Sequence, residues 1–501
     1  VIVPPPRHLV RLPGSFALDR STTVHIGPQA AGAVRLLRDY LRPHGVALAP
    51  SSEGAVVLAV NPALSHLGDE GYELRVDQHN VRLRAAAHAG LLHGVQSLRQ
   101  LLPLPGAGPV EVPCVDVVDV PAFPWRGAML DVARHFMPVE FLHRFVDLLA
   151  LHKLNVLHLH LTDDQGWRMP VPGRPRLTEV GGWRAESMVG PAGSTRFDAS
   201  PHGGAYTTAE LRGLVAHAEE RGVAIMPEIE MPGHARAALA AYPRLGNFPD
   251  RHLPVWTSWG VSEEVFGVQE STLDFCEEVL AEVMDVFPGE RIHIGGDECP
   301  TAEWHRSPLA LDRVAAEGLS GPDDLHSWFL ARISRFLLAN GRTPVCWDEG
   351  GGAPDLPAET AVMVWRDPAH GKQAARNGHP VIMTPWRSTY LDYPQANTAD
   401  EPPGQPAGVV TLKDVYTQEL PPPGWSDEES ALVLGTQAQL WTEFVKDPTH
   451  AEYLAFPRLC ALAGSAWSGG DDWPAFLTTL REHERRLSAL SINHRPLGAT
   501  G

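Results

Sequence analysis

A parallel (β/α)₈ TIM barrel, preceded by a small α/β domain and followed by a C-terminal helix, is the fold class this 501-residue sequence predicts. Three observations point there. From about Pro121 onward, eight apolar strand candidates alternate with helical patterns, the rhythm of a parallel sheet wrapped by helices. No Gly-rich phosphate turn follows an early strand, as a doubly wound nucleotide-binding sheet would show. Carboxylates, His, Arg, Tyr and Trp recur where the strand candidates end, and barrel chemistry sits at C-terminal strand ends.

Residues 1–120 read as the small domain. Thr22–Ile26 and Val56–Val60 are strands, and Ala31–Leu41 has helical spacing at Val34, Leu37 and Leu41. Tyr72–Val76 and Val81–Arg84 alternate apolar and charged residues around Asp77-Gln-His-Asn80, a hairpin signal. Gly90–Leu102 is an amphipathic helix stopped by Pro103. No catalytic constellation falls here, so the role read from it is structural. Residues 121–501 read as the catalytic barrel. Its predicted strands are Gly127–His135, Val156–Asp164, Val223–Glu230, Arg291–Glu298, Pro344–Asp348, Ala361–Arg366, Pro380–Thr384 and Leu434–Trp441. Helical patterns between them include Val139–His152, Thr208–Arg221, Leu273–Val286 and Leu325–Asn340. Asp472–Leu490 is the final helix, with Arg481, Arg485 and Arg486 on its polar face.

Composition narrows the function. A formal charge of −19 argues against nucleic acid or an anionic membrane as partner, and leaves a neutral substrate unaffected. No apolar run approaches the ~18 residues of a membrane span. Val1–Arg11 is Pro-rich and lacks the apolar core of a signal peptide. The five cysteines are scattered without a CxxC, which favours neither a disulfide framework nor a Cys-based zinc site. No cofactor is called for.

The stretch Arg291-Ile-His-Ile-Gly-Gly-Asp-Glu298 carries the most chemistry. Neighbouring side chains on a strand point to opposite faces. Asp297 and Glu298 therefore serve one site only where the strand has ended or bent, and Gly295-Gly296 permits the bend. An acidic loop or a metal-ligand pair would read the same from these eight residues alone. The other strand ends add Arg134, Asp163-Asp164, Glu228-Ile-Glu230, His234, Trp347, Trp365, Tyr390, Asp392, Trp441 and Glu443. Together they make a polar pocket with aromatic walls, which suits a pyranose: ring faces against Trp, hydroxyls on carboxylates and Arg. His158-Leu-His160 offers a different reading, a metal pair on a barrel strand as in amidohydrolases. Histidines satisfied inside the barrel are the simpler account, because further ligands on later strands fit poorly.

The segments Arg126–His135, Leu157–Trp167, Pro227–His234, His293–Glu298, Tyr390–Asp392 and Leu440–Glu443 resemble, in sequence and order, the glycoside hydrolase family 20 β-N-acetylhexosaminidases. The resemblance runs over nearly the whole chain and includes the N-terminal domain of bacterial members. It implies exo-acting release of terminal non-reducing GlcNAc or GalNAc, including from chitin fragments, by a retaining mechanism in which the substrate's own 2-acetamido oxygen attacks C1. It further implies that Glu298 is the general acid and base, and that Asp297 orients the acetamido group and stabilises an oxazolinium. Tyr390 would bind the acetamido oxygen, and Trp347, Trp365 and Trp441 would enclose the sugar. Arg134, Asp392 and Glu443 would hold its hydroxyls, and Asp163 and His234 would support Glu298.

Physical reasoning adds one expectation: an ionised Asp297 raises the pKa of Glu298 and makes it an acid near neutral pH. Two departures stand out. Pro406-Ala-Gly408 replaces the family's Trp-containing turn after Tyr390, which implies a more open aglycone side. The loop from Gly246 to Phe266 lacks the cysteine pair of secreted relatives, which favours a reducing, cytoplasmic bacterial compartment. An inactive sugar-binding barrel is the remaining alternative, and it would require loss of Glu298 or Asp297. The sequence leaves oligomeric state open.

Overall fold

The computed structural model describes residues 1–106, 110–353 and 355–498, so the last residues of the expected barrel unit lie outside it. Eight parallel strands close into a barrel in chain order: Trp125–Asp131, Val156–His160, Ala224–Glu228, Arg291–His293, Thr343–Trp347, Ala361–Val364, Val381–Met383 and Val433–Leu440. Each predicted strand is present, but several stop early. The second ends at His160 because Thr162–Asp163 leaves the ladder and pairs with Gly166–Trp167 in a small ribbon. The fourth ends at His293, and its carboxylates lie on the loop beyond.

Alternation sets what each strand contributes. On the second strand Leu157 and Leu159 join the core under the outer helices, while His158 and His160 face the barrel interior. The lower interior is plugged by Trp125, Val156, Met226, Val345, Met363 and Ile382. Polar residues thus replace apolar ones only toward the C-terminal mouth.

The N-terminal unit is a seven-stranded sheet in the order His8–Leu18, Val110–Asp119, Tyr72–Val76, Val81–Ala85, Val56–Val60, Thr23–Ile26, Ala49–Pro50. The predicted hairpin pairs Tyr72 with Ala85 and Val76 with Val81. The long antiparallel pair His8–Leu18 and Val110–Asp119 was not signalled in the sequence: Pro13 and Pro113 interrupt both runs, and the register shifts between Arg11 and Ser15. The helix His88–Leu101 lies between this sheet and the barrel helix Val139–Leu151.

A buried polar network joins the two units. The Lys153 ammonium donates to Asp119 Oδ2 and to the Tyr72 hydroxyl, both at 2.9 Å. Tyr72 donates to the same carboxylate at 2.7 Å, and Trp467 Nε1 donates to its other oxygen at 2.9 Å. Nearby, Arg126 holds Glu70 at 2.6 Å. The final helix, Trp473–Ala489, adds a clamp: Arg486 donates to the carbonyls of Gln100 and Leu102, both at 2.8 Å, at the C-terminal end of His88–Leu101. Arg486, read from the sequence only as part of the helix's polar face, is therefore a bridge between units.

Lys153 and Asp119 are fully buried. Removing one partner of such a pair leaves an uncompensated charge and costs about 3–5 kcal/mol. Asp119→Ala should lower stability by that order in denaturant titration and loosen the N-terminal unit. A midpoint unchanged from wild type would show that the network is not what joins the two parts.

Candidate active site

The loop after the fourth strand is bent by its glycines. Gly295 and Gly296 have φ of 68° and 93°, and Glu298 itself has φ of 44°. A side chain at Gly295 would also meet Glu230 Oε2 at 1.9 Å. His326 pins the turn by donating to the Gly296 carbonyl at 2.8 Å. The bend lets Asp297 and Glu298 face one pocket, as the two adjacent carboxylates require.

That pocket is about 190 Å³ and is lined by Arg134, Asp297, Glu298, Trp365, Tyr390, Asp392, Trp441 and Glu443, joined by Tyr393 and Gln405. It is smaller than the ~300–1,000 Å³ clefts that hold drug-sized ligands, and it fits a single ring. Trp365 stacks on Tyr390 at 6.1 Å and 20°, and Trp441 meets Tyr390 at 6.1 Å and 53°. Arg134 lies over Trp441 at 5.0 Å. Asp297 Oδ1, Asp392 Oδ1 and Glu443 Oε2 are buried without a hydrogen-bond partner.

Beneath the pocket runs a ladder of charge. Asp163 accepts from Arg134 Nη2 at 2.9 Å and from His160 Nε2 at 2.9 Å, and lies 3.2 Å from His234 Nδ1. His234 Nδ1 also donates to Asp164 at 3.1 Å. The far nitrogen of His234 lies 3.6 Å from Glu298 Oε2 and 3.8 Å from Asp297 Oδ2. Deeper still, Glu228 binds His158 at 2.9 Å, His293 at 2.8 Å, Trp347 Nε1 at 2.9 Å, and His160. The His158–His160 pair is thus taken up in a hydrogen-bonded scaffold around Glu228.

The profile of "Glycosyl hydrolase family 20, catalytic domain" matches residues 123–470, and that of "Glycosyl hydrolase family 20, domain 2" matches residues 1–120. The chain belongs to glycoside hydrolase family 20. It is 37% identical to a β-hexosaminidase of Porphyromonas gingivalis over 99% of its own length and 64% of that relative's. Its fold is similar to that of an exo β-N-acetylglucosaminidase from Vibrio harveyi in complex with N-acetylglucosamine, with a TM-score of 0.89, 32% identity, and coverage of 99% of this chain and 78% of that one. It is likewise similar to the Streptomyces plicatus N-acetyl-β-hexosaminidase in complex with Thio-NAglucal, with a TM-score of 0.84, 32% identity, and coverage of 99% and 96%.

One expectation for this family 20 site is corrected by the geometry. Trp347 is not a pocket wall. It is 1% exposed, its N–H is bound to Glu228, and it packs 6.0 Å below Trp441. The register explains this: Trp347 pairs with Met363, so Trp365 stands one interior step higher. The two carboxyls of the pair are shifted in opposite directions. The His234 cation, 3.6 Å from Glu298 Oε2, holds Glu298 below its ordinary range against the opposing effect of burial. Burial pushes Asp297 up to about 6, with His234 opposing and Glu298 adding to the rise. Burial opposes charge on His234 itself, but Asp163 and Asp297 raise it well above the usual imidazole range. Of the two carboxyls, Asp297 is thus the one shifted toward its protonated form.

Sequence reasoning missed Tyr393 and Gln405. Tyr393 adjoins the Tyr390-Leu-Asp392 run and could have been read with it. Gln405 arrives on an irregular loop and is held there by its backbone N–H to the Asp392 carbonyl at 2.9 Å; no local pattern announces it.

His234 lowers both carboxyls of the pair. In His234→Asn that cation is gone, so both should hold protons to higher pH. The alkaline limb of the hydrolytic pH profile should move up. A limb that stays in place would remove His234 from electrostatic control of the pair.

Proposed function

We propose that this chain is an exo-acting β-N-acetylhexosaminidase that releases terminal GlcNAc or GalNAc from oligosaccharides, chitin fragments and glycoconjugates with retention. The observation that carries this reading is the set of buried, unpartnered carboxyl oxygens on Asp297, Asp392 and Glu443, set between the Trp365 and Trp441 rings. Such oxygens need donors, and a neutral sugar with an acetamido N–H and several hydroxyls supplies them without adding charge. A metal or anionic substrate is not required by this donor set.

In the proposed reaction the acetamido N–H donates to Asp297, and the aglycone dehydrates Glu298. The first favours the ionised form of Asp297 and the second the protonated form of Glu298. Glu298 gives its proton to the glycosidic oxygen as the C1–O bond breaks, while the acetamido oxygen bonds to C1. Asp297 now faces a cationic oxazolinium nitrogen, so its charge counts for more in the transition state than in the ground state. Tyr390 donates to the acetamido oxygen and aims it, and the Trp365–Tyr390 stack and Trp441 fix the acetamido rotamer. Water then attacks C1, returns its proton to Glu298 and reopens the ring. Arg134, Asp392 and Glu443 hold the sugar's 3-, 4- and 6-hydroxyls. Asp163 keeps His234 charged and oriented under Glu298.

The acidic balance of the chain argues against a nucleic-acid partner, and no described helix is long and apolar enough to cross a membrane. All five cysteines are free, in keeping with the cytoplasmic bacterial location we propose.

Glu298→Gln should cut turnover of poorly activated glycosides by ~10²–10⁴-fold, the usual worth of general acid catalysis, and activated aryl glycosides by less. Unchanged turnover of a chitobiose-like substrate would take Glu298 out of the acid role. Asp297→Asn removes charge from the transition state, so kcat should fall much more than affinity. Its alkaline limb should move to lower pH, because Glu298 loses a like-charged neighbour and keeps His234. A rise in KM with kcat intact would reduce Asp297 to a binding group. Glucosides with a 2-hydroxyl lack the internal nucleophile and should be far poorer substrates; a trapped adduct between sugar and an enzyme carboxylate would sink the mechanism.

A further inference from the structure

Glu349 sits two residues beyond Trp347, at the end of the fifth barrel strand, and the mechanism above gives it no task. Its Oε2 accepts the Trp365 indole N–H at 3.2 Å. Its chain neighbour Asp348 is among the acids that act on the same carboxyl. Asp348 is fully buried and has its own cations, Arg366 Nε at 3.2 Å and His370 Nδ1 at 2.8 Å. Arg366 reaches Glu349 only at 3.5 Å. Trp365 in turn stacks on Tyr390 at 6.1 Å and 20°. One side chain from the fifth strand therefore ties down a ring from the sixth, and through it a ring that follows the seventh.

We propose that Glu349 is a positioning residue for the acetamido pocket: the hydrogen-bond chain Trp365–Glu349–Asp348 fixes the Trp365–Tyr390 stack, and with it the aim of the acetamido oxygen at C1. The inference rests on the hexosaminidase reading of the pocket and names a residue that reading leaves out. Its chemistry requires the neutral acid. A carboxylate can only accept, whereas a carboxylic acid accepts from Trp365 with one oxygen and donates to Asp348 with the other. The surroundings favour that form: burial, then Asp297 and Asp348, push Glu349 up to about 9, against the pull of Arg366. Neutrality also spares Asp297 a further like charge at the moment it must stabilise a cation.

The chain predicts which substitutions are tolerated. Glutamine has the same length and the same pair of functions, a carbonyl for the indole N–H and an amide donor for Asp348. Aspartate keeps the acid but draws it back from Trp365 by one methylene. Leucine removes both bonds. The test compares kcat and KM of wild type, Glu349→Gln, Glu349→Asp and Glu349→Leu on an aryl 2-acetamido glycoside, and inhibition by a thiazoline mimic of the bicyclic intermediate. Glu349→Gln should stay within about threefold of wild type in kcat. Glu349→Asp and Glu349→Leu should lose roughly 10- to 100-fold, the scale set by ångström misplacement near a reacting centre, with KM moving less. The thiazoline should weaken in step with kcat. Should Glu349→Leu fail to fold, the order of Gln above Asp decides alone. A Gln variant no better than Asp, or Asp and Leu variants as active as wild type, would overturn the inference while the active wild type leaves the enzyme's function standing. A wild type inert toward the glycoside would overturn both.

Discussion

Burying Glu228 inside the barrel is the constraint from which the site is built. A carboxylate at that depth persists only if it is paired and hydrogen-bonded, and three strands supply partners: His158 and His160, His293, and Trp347 N–H. His160 is then held between two carboxylates. Burial opposes its charge, yet Glu228 and Asp163 push it up to about 10. The order of charges is fixed from there upward: Glu228 negative, His160 positive, Asp163 negative, then Arg134 and His234 positive, then the Asp297–Glu298 pair. Each member is tolerable because of the one below it. Removing a lower rung would therefore be felt at the mouth without touching any group that meets substrate.

The same logic joins the two parts of the chain. Asp119 is buried, and its partners come from both sides of the junction: Tyr72 from the sheet, Lys153 and Trp467 from the barrel. An apolar junction of similar area could slide, but a directional network of this kind specifies one docking geometry. Glu70 repeats the device with Arg126 and His93. Both networks sit under the N-terminal ends of the first and second barrel strands, opposite the pocket. The small unit thus meets the barrel on the side opposite the pocket.

What could be read from the sequence followed from local periodicity. Apolar runs between helical patterns gave the eight barrel strands, and Gly295-Gly296 gave the bend that brings Asp297 and Glu298 together. What was missed is non-local. The depth of Trp347 depends on its register against Met363, a fact about two strands and not one. The pairing of His8–Leu18 with Val110–Asp119 spans most of the small unit, and prolines obscure both partners. Gln405 reaches the pocket on a loop whose path no pattern encodes. The opposite shifts of Asp297 and Glu298 could not be read either: they follow from the burial of Asp297 and from the 3.6 Å approach of His234 to Glu298.

The pocket is expensive to keep. Asp297, Asp392 and Glu443 each hold a buried oxygen with no donor, and both oxygens of Glu230 are in the same condition against Gly295. Burial and the neighbouring acids raise Glu230 and Asp392 well above the carboxylate range. Such a site is destabilising by itself, and the surrounding ion pairs must over-determine it. That cost has a use. A sugar that donates to these oxygens relieves a penalty already present in the fold, so its hydroxyls bind more strongly than they would to solvated acids. In the proposed reaction an acetamido N–H donated to Asp297 would favour that carboxyl's ionised form. Substrate recognition and stabilisation of the cationic intermediate would then use one contact, and a sugar without the acetamido group would lack it.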